Sequence, residues 1–120
     1  MYIYNEINLV SSYCDGFEVD VTIGTTILDD IVISYNAEHY GDLGEDYFRH
    51  KENIHAVIDS YEIKVMAKHL GITPDKVKQH LIDKFDDNDS YISYIPYIRN
   101  YFHDILDYIL DCGAKYRIKD

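Results

Sequence analysis

The chain has 120 residues, 47% of them hydrophobic, and a formal net charge of −11 at pH 7. This length suits one compact domain over residues 1–120, and this hydrophobic content is too high for intrinsic disorder. No apolar stretch approaches the roughly 20 residues of a membrane span, and the first ten residues lack the features of a secretory signal. A cytoplasmic location is therefore expected.

The negative charge is concentrated toward the N-terminal end. The first 48 residues contain ten Asp or Glu and no Lys or Arg, whereas residues 51–120 contain twelve acids and ten bases. A field of one sign repels itself, so it is typical of surfaces used for steering or recognition. The chain also has thirteen Tyr and no Trp. Tyr suits interfaces that are partly dry and partly wet, although the codon bias of an AT-rich genome explains the count equally well.

Three strands are the first predicted elements. Residues 17–23 alternate apolar and polar residues, which is the period of a half-buried strand with Phe17, Val19, Val21 and Ile23 toward the core. Residues 2–10 and 27–35 are rich in Ile, Val and Tyr, and glycine-containing turns separate the three segments. The sequence therefore predicts a three-stranded antiparallel β-meander within residues 1–36, with an acidic face toward water.

The rest of the chain is predicted to be helical, over residues 45–112. Residues 36–44 contain two glycines and indicate a loop, and helical spacing of apolar residues then favours helices over 45–59, 61–70, 73–85 and 96–112. Gly71 and Gly113 are natural helix ends, and Pro74 and Pro96 suit a first turn. The predicted fold class is α+β, with about four α-helices packed on one face of the meander.

Residues 61–84 contain a pattern similar to the helix-turn-helix of bacterial repressors. The positions that carry this resemblance are Ala67, Gly71, Ile72, Thr73 and Val77. The resemblance implies DNA binding through Lys68, Thr73, Lys76, Lys78 and Gln79.

Two packed helices joined by a glycine turn would need the same small and apolar residues. Asp75 departs from the motif where phosphates would come closest, and residues 61–84 carry only five Lys against three acids. This is a small surplus for neutralising phosphates. A helix-turn-helix transcriptional regulator is therefore the alternative function.

The candidate metal-binding and catalytic residues give little support for a metal site or for enzyme activity. His50, Glu52, His55 and Asp59 would lie close together on a helix and could hold a divalent ion, but amphipathic helices place polar residues on one face by default. The sequence leaves metal binding by these four residues open, and no metal or cofactor is expected. No flanking signature accompanies a Cys–His pair or a pair of carboxylates, so the chain is not expected to be an enzyme.

In size, acidity and lack of catalytic motifs, the chain resembles the small anti-defence proteins of phages and mobile elements, namely anti-CRISPR and antirestriction proteins. The resemblance implies a non-enzymatic inhibitor that mimics DNA in the cytoplasm of a host bacterium. Its partner would be a protein with a basic nucleic-acid-binding groove, such as a CRISPR effector nuclease or a restriction enzyme. Carboxylates on a rigid scaffold can replace a row of phosphates, and Tyr can anchor the contact.

The expected partner-binding residues fall into two sets, and the oligomeric state is left open between monomer and dimer. The acidic set is Asp15, Glu18, Asp20, Asp29, Asp30, Glu38, Asp42, Glu45 and Asp46. The aromatic set is Tyr13, Tyr35, Tyr40 and Tyr47.

Overall fold

The computed structural model describes residues 1–14, 16–43, 46–86 and 95–119, and the side chains within them except those of residues 14, 40–43, 46–50 and 95–97. Within these residues, five strands and three α-helices make up the fold. They are β1 (Tyr4–Cys14), β2 (Phe17–Thr25), β3 (Ile31–Leu43), β4 (Asp46–Ile58), α1 (Ser60–Leu70), a 3-10 turn (Pro74–Lys76), α2 (Val77–Phe85), α3 (Ile95–Asp111) and β5 (Arg117–Lys119).

The strands form one antiparallel sheet in the order β1-β2-β3-β4-β5. β2 pairs with β3 from Phe17 opposite His39 to Thr25 opposite Ile31. β3 and β4 pair over their whole length, so the parts of these strands beyond His39 form a two-stranded ribbon that extends past β2.

The helices cover one face of the sheet, here called the inner face. Alternate residues of β2, β3 and β4 point into this layer, and α3 packs across β1 and β2. The fully buried positions include Val21 and Ile23 on β2, Ile33 on β3 and Ile105 on α3. At about 1.5 to 3 kcal/mol for each large apolar side chain removed from water, this layer is the main source of stability.

Local sequence sets the ends of α1. The Asp59 carboxylate accepts a hydrogen bond from the Glu62 N–H at 3.0 Å and caps the first turn. Gly71 has a φ of 71°, in the left-handed region that glycine adopts without a steric penalty, and the helix stops there. The same glycine turn leads to Thr73 and Pro74, where the 3-10 turn before α2 begins.

The prediction of three strands followed by four helices is wrong in its elements, although the α+β class stands. Residues 36–43, expected in a loop, belong to β3, and residues 46–58, expected in a helix, form β4. On β4 the residues that face the helices are Ile54, Ala56 and Ile58, which recur with the period of a strand. Ile54, Val57 and Ile58 also match helical spacing, and that ambiguity caused the error.

The opposite, outer face of the sheet is partly covered by the first residues of the chain. Val32 and Val57 point away from the helices and are nevertheless buried. Gly24 on β2 is directly opposite Val32 on β3. The Ile3 side chain lies so close to Gly24 that a Cβ atom at this position would overlap it. The N-terminal segment, residues 1–6, therefore crosses one end of the outer face, and no other segment among the described residues is seen to cover the rest of it.

Candidate binding surface on the outer face of the sheet

The open part of the outer face carries polar side chains from several neighbouring strands. Glu18 on β2 is opposite Glu38 on β3, which in turn is opposite Lys51 on β4. The next row toward the N-terminal segment consists of Asp20, Asn36 and Asn53. These six residues and Ala37 line a groove with a volume of about 200 Å³, here called the acidic groove.

Three carboxylates converge in the acidic groove because of strand geometry. Residues directly opposite each other on antiparallel strands have Cβ atoms about 4.5 to 5.5 Å apart, which applies to Glu18 and Glu38. Asp20 is two residues from Glu18, on the same face and about 7 Å along the strand. Like charges directly opposite are destabilising in a sheet. Lys51 is directly opposite Glu38 on its other side, so the groove lining carries three carboxylates against one ammonium group.

Neighbouring polar groups fix part of this arrangement. The Asn36 side-chain amide donates a hydrogen bond to Asp20 Oδ1 at 2.8 Å, which orients the carboxylate. Lys51 is opposite Glu38 on the far side from Glu18. A ligand would thus meet carboxylates set on paired strands, with little freedom left to lose on binding.

A second polar row lies between the acidic groove and the N-terminal segment. Thr22 on β2, Ser34 on β3 and His55 on β4 are aligned across the sheet. Ser34 Oγ and His55 Nδ1 are 2.7 Å apart and share a hydrogen bond. Burial lowers the pKa of His55 below its ordinary value of 6.5, and the nearby negative charge of Glu6 partly opposes this shift. His55 is therefore favoured in its neutral form.

The hydroxyl and carboxylate groups of this face differ in their accessibility. Ser34 is buried beside His55, so its hydroxyl is not presented to a substrate. Among the described residues, no three His, Cys, Asp or Glu side chains are placed to hold a metal ion. What the face offers is a group of carboxylates, exposed at Glu18 and half-buried at Asp20 and Glu38, with hydrogen-bonding neighbours.

The structure brings some of the predicted acidic residues together and separates others. Glu18, Asp20 and Glu38 meet in the acidic groove. Asp29 and Asp30 lie at the turn between β2 and β3, at the other end of these strands. Asp15 and Glu45 are outside the described residues, as are the side chains of Asp42 and Asp46.

The structure also places the predicted aromatic residues in different environments. Tyr13 is 67% exposed and lies opposite Glu18 on β1, beside the acidic groove. Tyr35 is not a surface residue, which corrects the prediction: it points to the inner face and packs against Phe102 of α3, with ring centroids 5.7 Å apart. The side chains of Tyr40 and Tyr47 lie outside the described ones.

The candidate metal residues do not share a helix face, because their segment is a strand. Glu52 and His55 are three residues apart on β4 and therefore point to opposite faces of the sheet. Glu52 forms an ion pair with Arg99 of α3 at 3.7 Å, and Asp59 caps α1. The side chain of His50 is outside the described ones.

The residues assigned to the alternative DNA-binding function lie on α1, the 3-10 turn and α2. Lys68, Thr73 and Lys76 are exposed. Lys78 is half-buried and donates a hydrogen bond to the Asn5 carbonyl at 3.0 Å, and Gln79 donates one to Asp83 at 2.8 Å. Burial also lowers the pKa of Lys78. The side chains of Lys78 and Gln79, like that of Thr73, which is hydrogen-bonded to Asp75, are thus engaged within the chain, and DNA binding stays a prediction.

Sequence reasoning missed half of the acidic groove. Asn36, Lys51 and Asn53 were not predicted as site residues, because the segments that contain them were expected to be a loop and a helix. The signal that could have found them is the alternation of Asn53, His55 and Val57 with the inward residues Ile54, Ala56 and Ile58.

Comparison of the chain with protein-family models, with curated proteins and with solved structures gives no match. In the part of the chain that the structure describes, no helix is long and apolar enough to cross a membrane.

Proposed function

We propose that this chain is a non-enzymatic binding protein that applies the acidic groove to a basic, nucleic-acid-binding surface of another protein. In this role the carboxylates replace phosphates and exclude DNA or RNA from the partner. This is the mode of action implied by the resemblance to anti-CRISPR and antirestriction proteins. The proposed partner is accordingly a CRISPR effector nuclease or a restriction enzyme of the host cell.

The observation that carries the proposal is the direct opposition of Glu18 and Glu38, with Asp20 on the same face. Lys51, directly opposite Glu38, is the one cation among the residues that line the groove, so the lining keeps an excess of two negative charges. An excess of negative charge on one face attracts and orients a basic partner.

The groove is suited to guanidinium and ammonium groups. Carboxylates accept paired hydrogen bonds from the planar Arg guanidinium, as phosphates do, and such charge-assisted bonds are about twice as strong as neutral ones. Tyr13 adds an exposed aromatic ring beside the carboxylates, and Tyr is among the residues that anchor protein interfaces. Together they provide charge and apolar contact on one rigid surface.

A matched pair of variants tests the proposal. The groove variant combines Glu18→Gln, Asp20→Asn and Glu38→Gln, which removes charge while nearly preserving shape. The control variant combines Asp104→Asn, Asp107→Asn and Asp111→Asn on the exposed side of α3, with the same change in net charge. Proteins captured from a bacterial lysate by the wild-type chain are then eluted with a short DNA duplex. The affinity of each eluted protein is measured for the wild type, for the groove variant and for the control variant.

We expect a captured protein to be displaced by duplex DNA, to bind the control variant like the wild type, and to bind the groove variant at least about 100-fold more weakly. The size of the effect follows from roughly 1.5 to 3 kcal/mol for each hydrogen bond to a charged group. Equal binding by the groove variant and the wild type would show that the groove is ordinary surface. The proposal of mimicry fails if no captured protein is displaced by DNA.

The alternative regulator makes the opposite prediction for DNA. A gel shift with duplex DNA at low and moderate salt compares the wild-type chain with a variant that combines Lys68→Gln and Lys76→Gln. Retention of duplex by the wild type, lost in this variant, would favour the helix-turn-helix function. Absence of binding at low salt would exclude it.

A further inference from the structure

Five large apolar side chains are exposed together at one end of the molecule. Ile27 and Leu28 are 81% and 75% exposed at the turn between β2 and β3, and Tyr2 is 72% exposed in the N-terminal segment beside them. Met1 and Tyr4 complete the group, and all five residues border a shared depression of about 290 Å³. We call Met1, Tyr2, Tyr4, Ile27 and Leu28 the apolar surface.

The turn that presents Ile27 and Leu28 is held firmly. The Thr26 N–H donates to the Asp30 carbonyl at 3.0 Å, and the Asp29 N–H donates to the Thr26 carbonyl at 2.9 Å. The Thr26 hydroxyl accepts further hydrogen bonds from the Leu28 and Asp30 N–H groups. Turns normally place polar residues at their tips. Here two aliphatic side chains are projected into solvent by a turn with little freedom to withdraw them.

The N-terminal part of the apolar surface is also anchored to the fold. The Tyr4 carbonyl accepts a hydrogen bond from the Thr25 hydroxyl at 3.4 Å, and the Asn5 carbonyl accepts one from Lys78. Tyr2 and Tyr4 have ring centroids 4.5 Å apart. The surface is therefore preorganised, which lowers the entropy lost when it is covered.

Charges of both signs border the apolar surface. Asp29 and Asp30 flank it at the turn, whereas Arg117 and Lys119 lie on β5, two strands away from β3. Asp30 and Lys119 both line the depression, so it carries a charged side chain of each sign. Two copies that meet through this surface would avoid the repulsion between their acidic grooves. A two-fold axis would place the acidic side of each copy near the basic side of the other.

The size of the surface is adequate for self-association. Aromatic side chains such as Tyr carry about 150 to 250 Å² each. With the low end of that range for Met1, Ile27 and Leu28, the five side chains, exposed by about two-fifths to four-fifths, offer on the order of 600 Å² per copy. A symmetric pair would bury about twice that area, which is at the lower end of specific protein interfaces. The largest apolar patch on a typical monomer is about 300 to 600 Å² and is often functional.

We propose that the apolar surface pairs with the same surface of a second copy, in a two-fold symmetric dimer with a dissociation constant in the micromolar range. The proposal does not depend on the binding function proposed for the acidic groove. Each dimer would present two acidic grooves, because the groove lies at the other end of the strands from the apolar surface.

Sedimentation velocity over about 5 to 200 μM protein tests the dimer. We expect the wild type to shift from monomer to dimer across this range, and the Ile27→Asp, Leu28→Asp variant to remain monomeric, with at least about 100-fold weaker association. The matched control combines Tyr61→Asp and Leu110→Asp, which are exposed apolar residues on α1 and α3, and should dimerise like the wild type. Thermal unfolding of each variant verifies folding, and all substituted positions are exposed.

A charge exchange tests the two-fold arrangement. Asp30→Lys should weaken the dimer because it places like charges together, and adding Lys119→Asp should restore it. A wild type that stays monomeric at 200 μM overturns the proposal. The apolar surface would then be a binding site for a different protein. Unchanged dimerisation in the Ile27→Asp, Leu28→Asp variant would also overturn it, since the interface would then lie elsewhere.

Discussion

His55 lies within the polar rows of the outer face, between Ser34 on β3 and Lys119 on β5. Because its ring is partly removed from water, its pKa is below the ordinary value of 6.5. Between these two pKa values the unfolded chain binds more protons at this position than the folded chain does. The stability contributed by neutral His55 is therefore fully present above pH 6.5 and is lost as the pH falls toward the lowered pKa.

The comparison of wild type with His55→Asn isolates this effect. We expect urea unfolding to show a fall in the free energy of unfolding between pH 7.5 and pH 5.5 that is larger for the wild type than for the variant. Substitution of the exposed His103 by Asn is the control and should leave the wild-type pH dependence intact. An equal fall in the wild type and in His55→Asn would mean that burial of His55 does not contribute.

The N-terminal segment packs closely on the sheet at Gly24. A methyl group at this position would overlap the Ile3 side chain and approach the Tyr4 carbonyl to 3.0 Å. Because backbone cannot move aside as easily as a side chain, the segment would have to shift and uncover Val32. We expect Gly24→Ala to lower the free energy of unfolding by roughly 1 to 3 kcal/mol, the usual range for overpacking.

A double-mutant cycle with Ile3→Ala measures whether the two residues are in contact. If they are, the double variant should be more stable than the sum of the single effects predicts, by at least about 0.5 kcal/mol. Simple additivity of the two effects would show that the Ile3 side chain does not lie against Gly24.

The elements that sequence reasoning predicted well are those with local signals. β2 has an uninterrupted alternation of apolar and polar residues, and its buried side chains Val19, Val21 and Ile23 are as expected. α1 ends at Gly71 as predicted, because a left-handed glycine is a local requirement. Phe17, expected in the core, is exposed near the end of β2, where it stacks on His39 with ring centroids 3.8 Å apart.

The elements that were predicted wrongly are those decided by distant residues. β4 is a strand because it pairs with β3 over thirteen residues, and a pattern within one segment does not reveal such pairing. The same limit applies to the acidic groove. Glu18 and Asp20 follow from the alternation in β2, whereas Asn36, Lys51 and Asn53 join them only through the register of β3 with its neighbours.

At the scale of the whole molecule, the net charge of −11 opposes the compact state. Salt screens this repulsion, so we expect the free energy of unfolding to rise between about 0.05 and 0.3 M NaCl. The rise should be smaller in the groove variant than in the control variant with three substitutions on α3. Both have the same net charge, but only the groove variant removes carboxylates that lie directly opposite each other, at positions 18 and 38. Urea unfolding at the two salt concentrations measures this, and equal responses would argue against strong repulsion within the groove.

The strand order has a consequence for how the chain reaches its fold. Each strand from β1 to β4 pairs with its neighbour in sequence, so these pairings close only short loops, whereas β5 returns to β4 after all three helices. During synthesis, every strand that contributes to the acidic groove has emerged once Ile58 has left the ribosome. The first half of the chain thus contains every strand of the candidate binding surface, and the helices made afterwards provide the apolar layer that keeps the sheet folded.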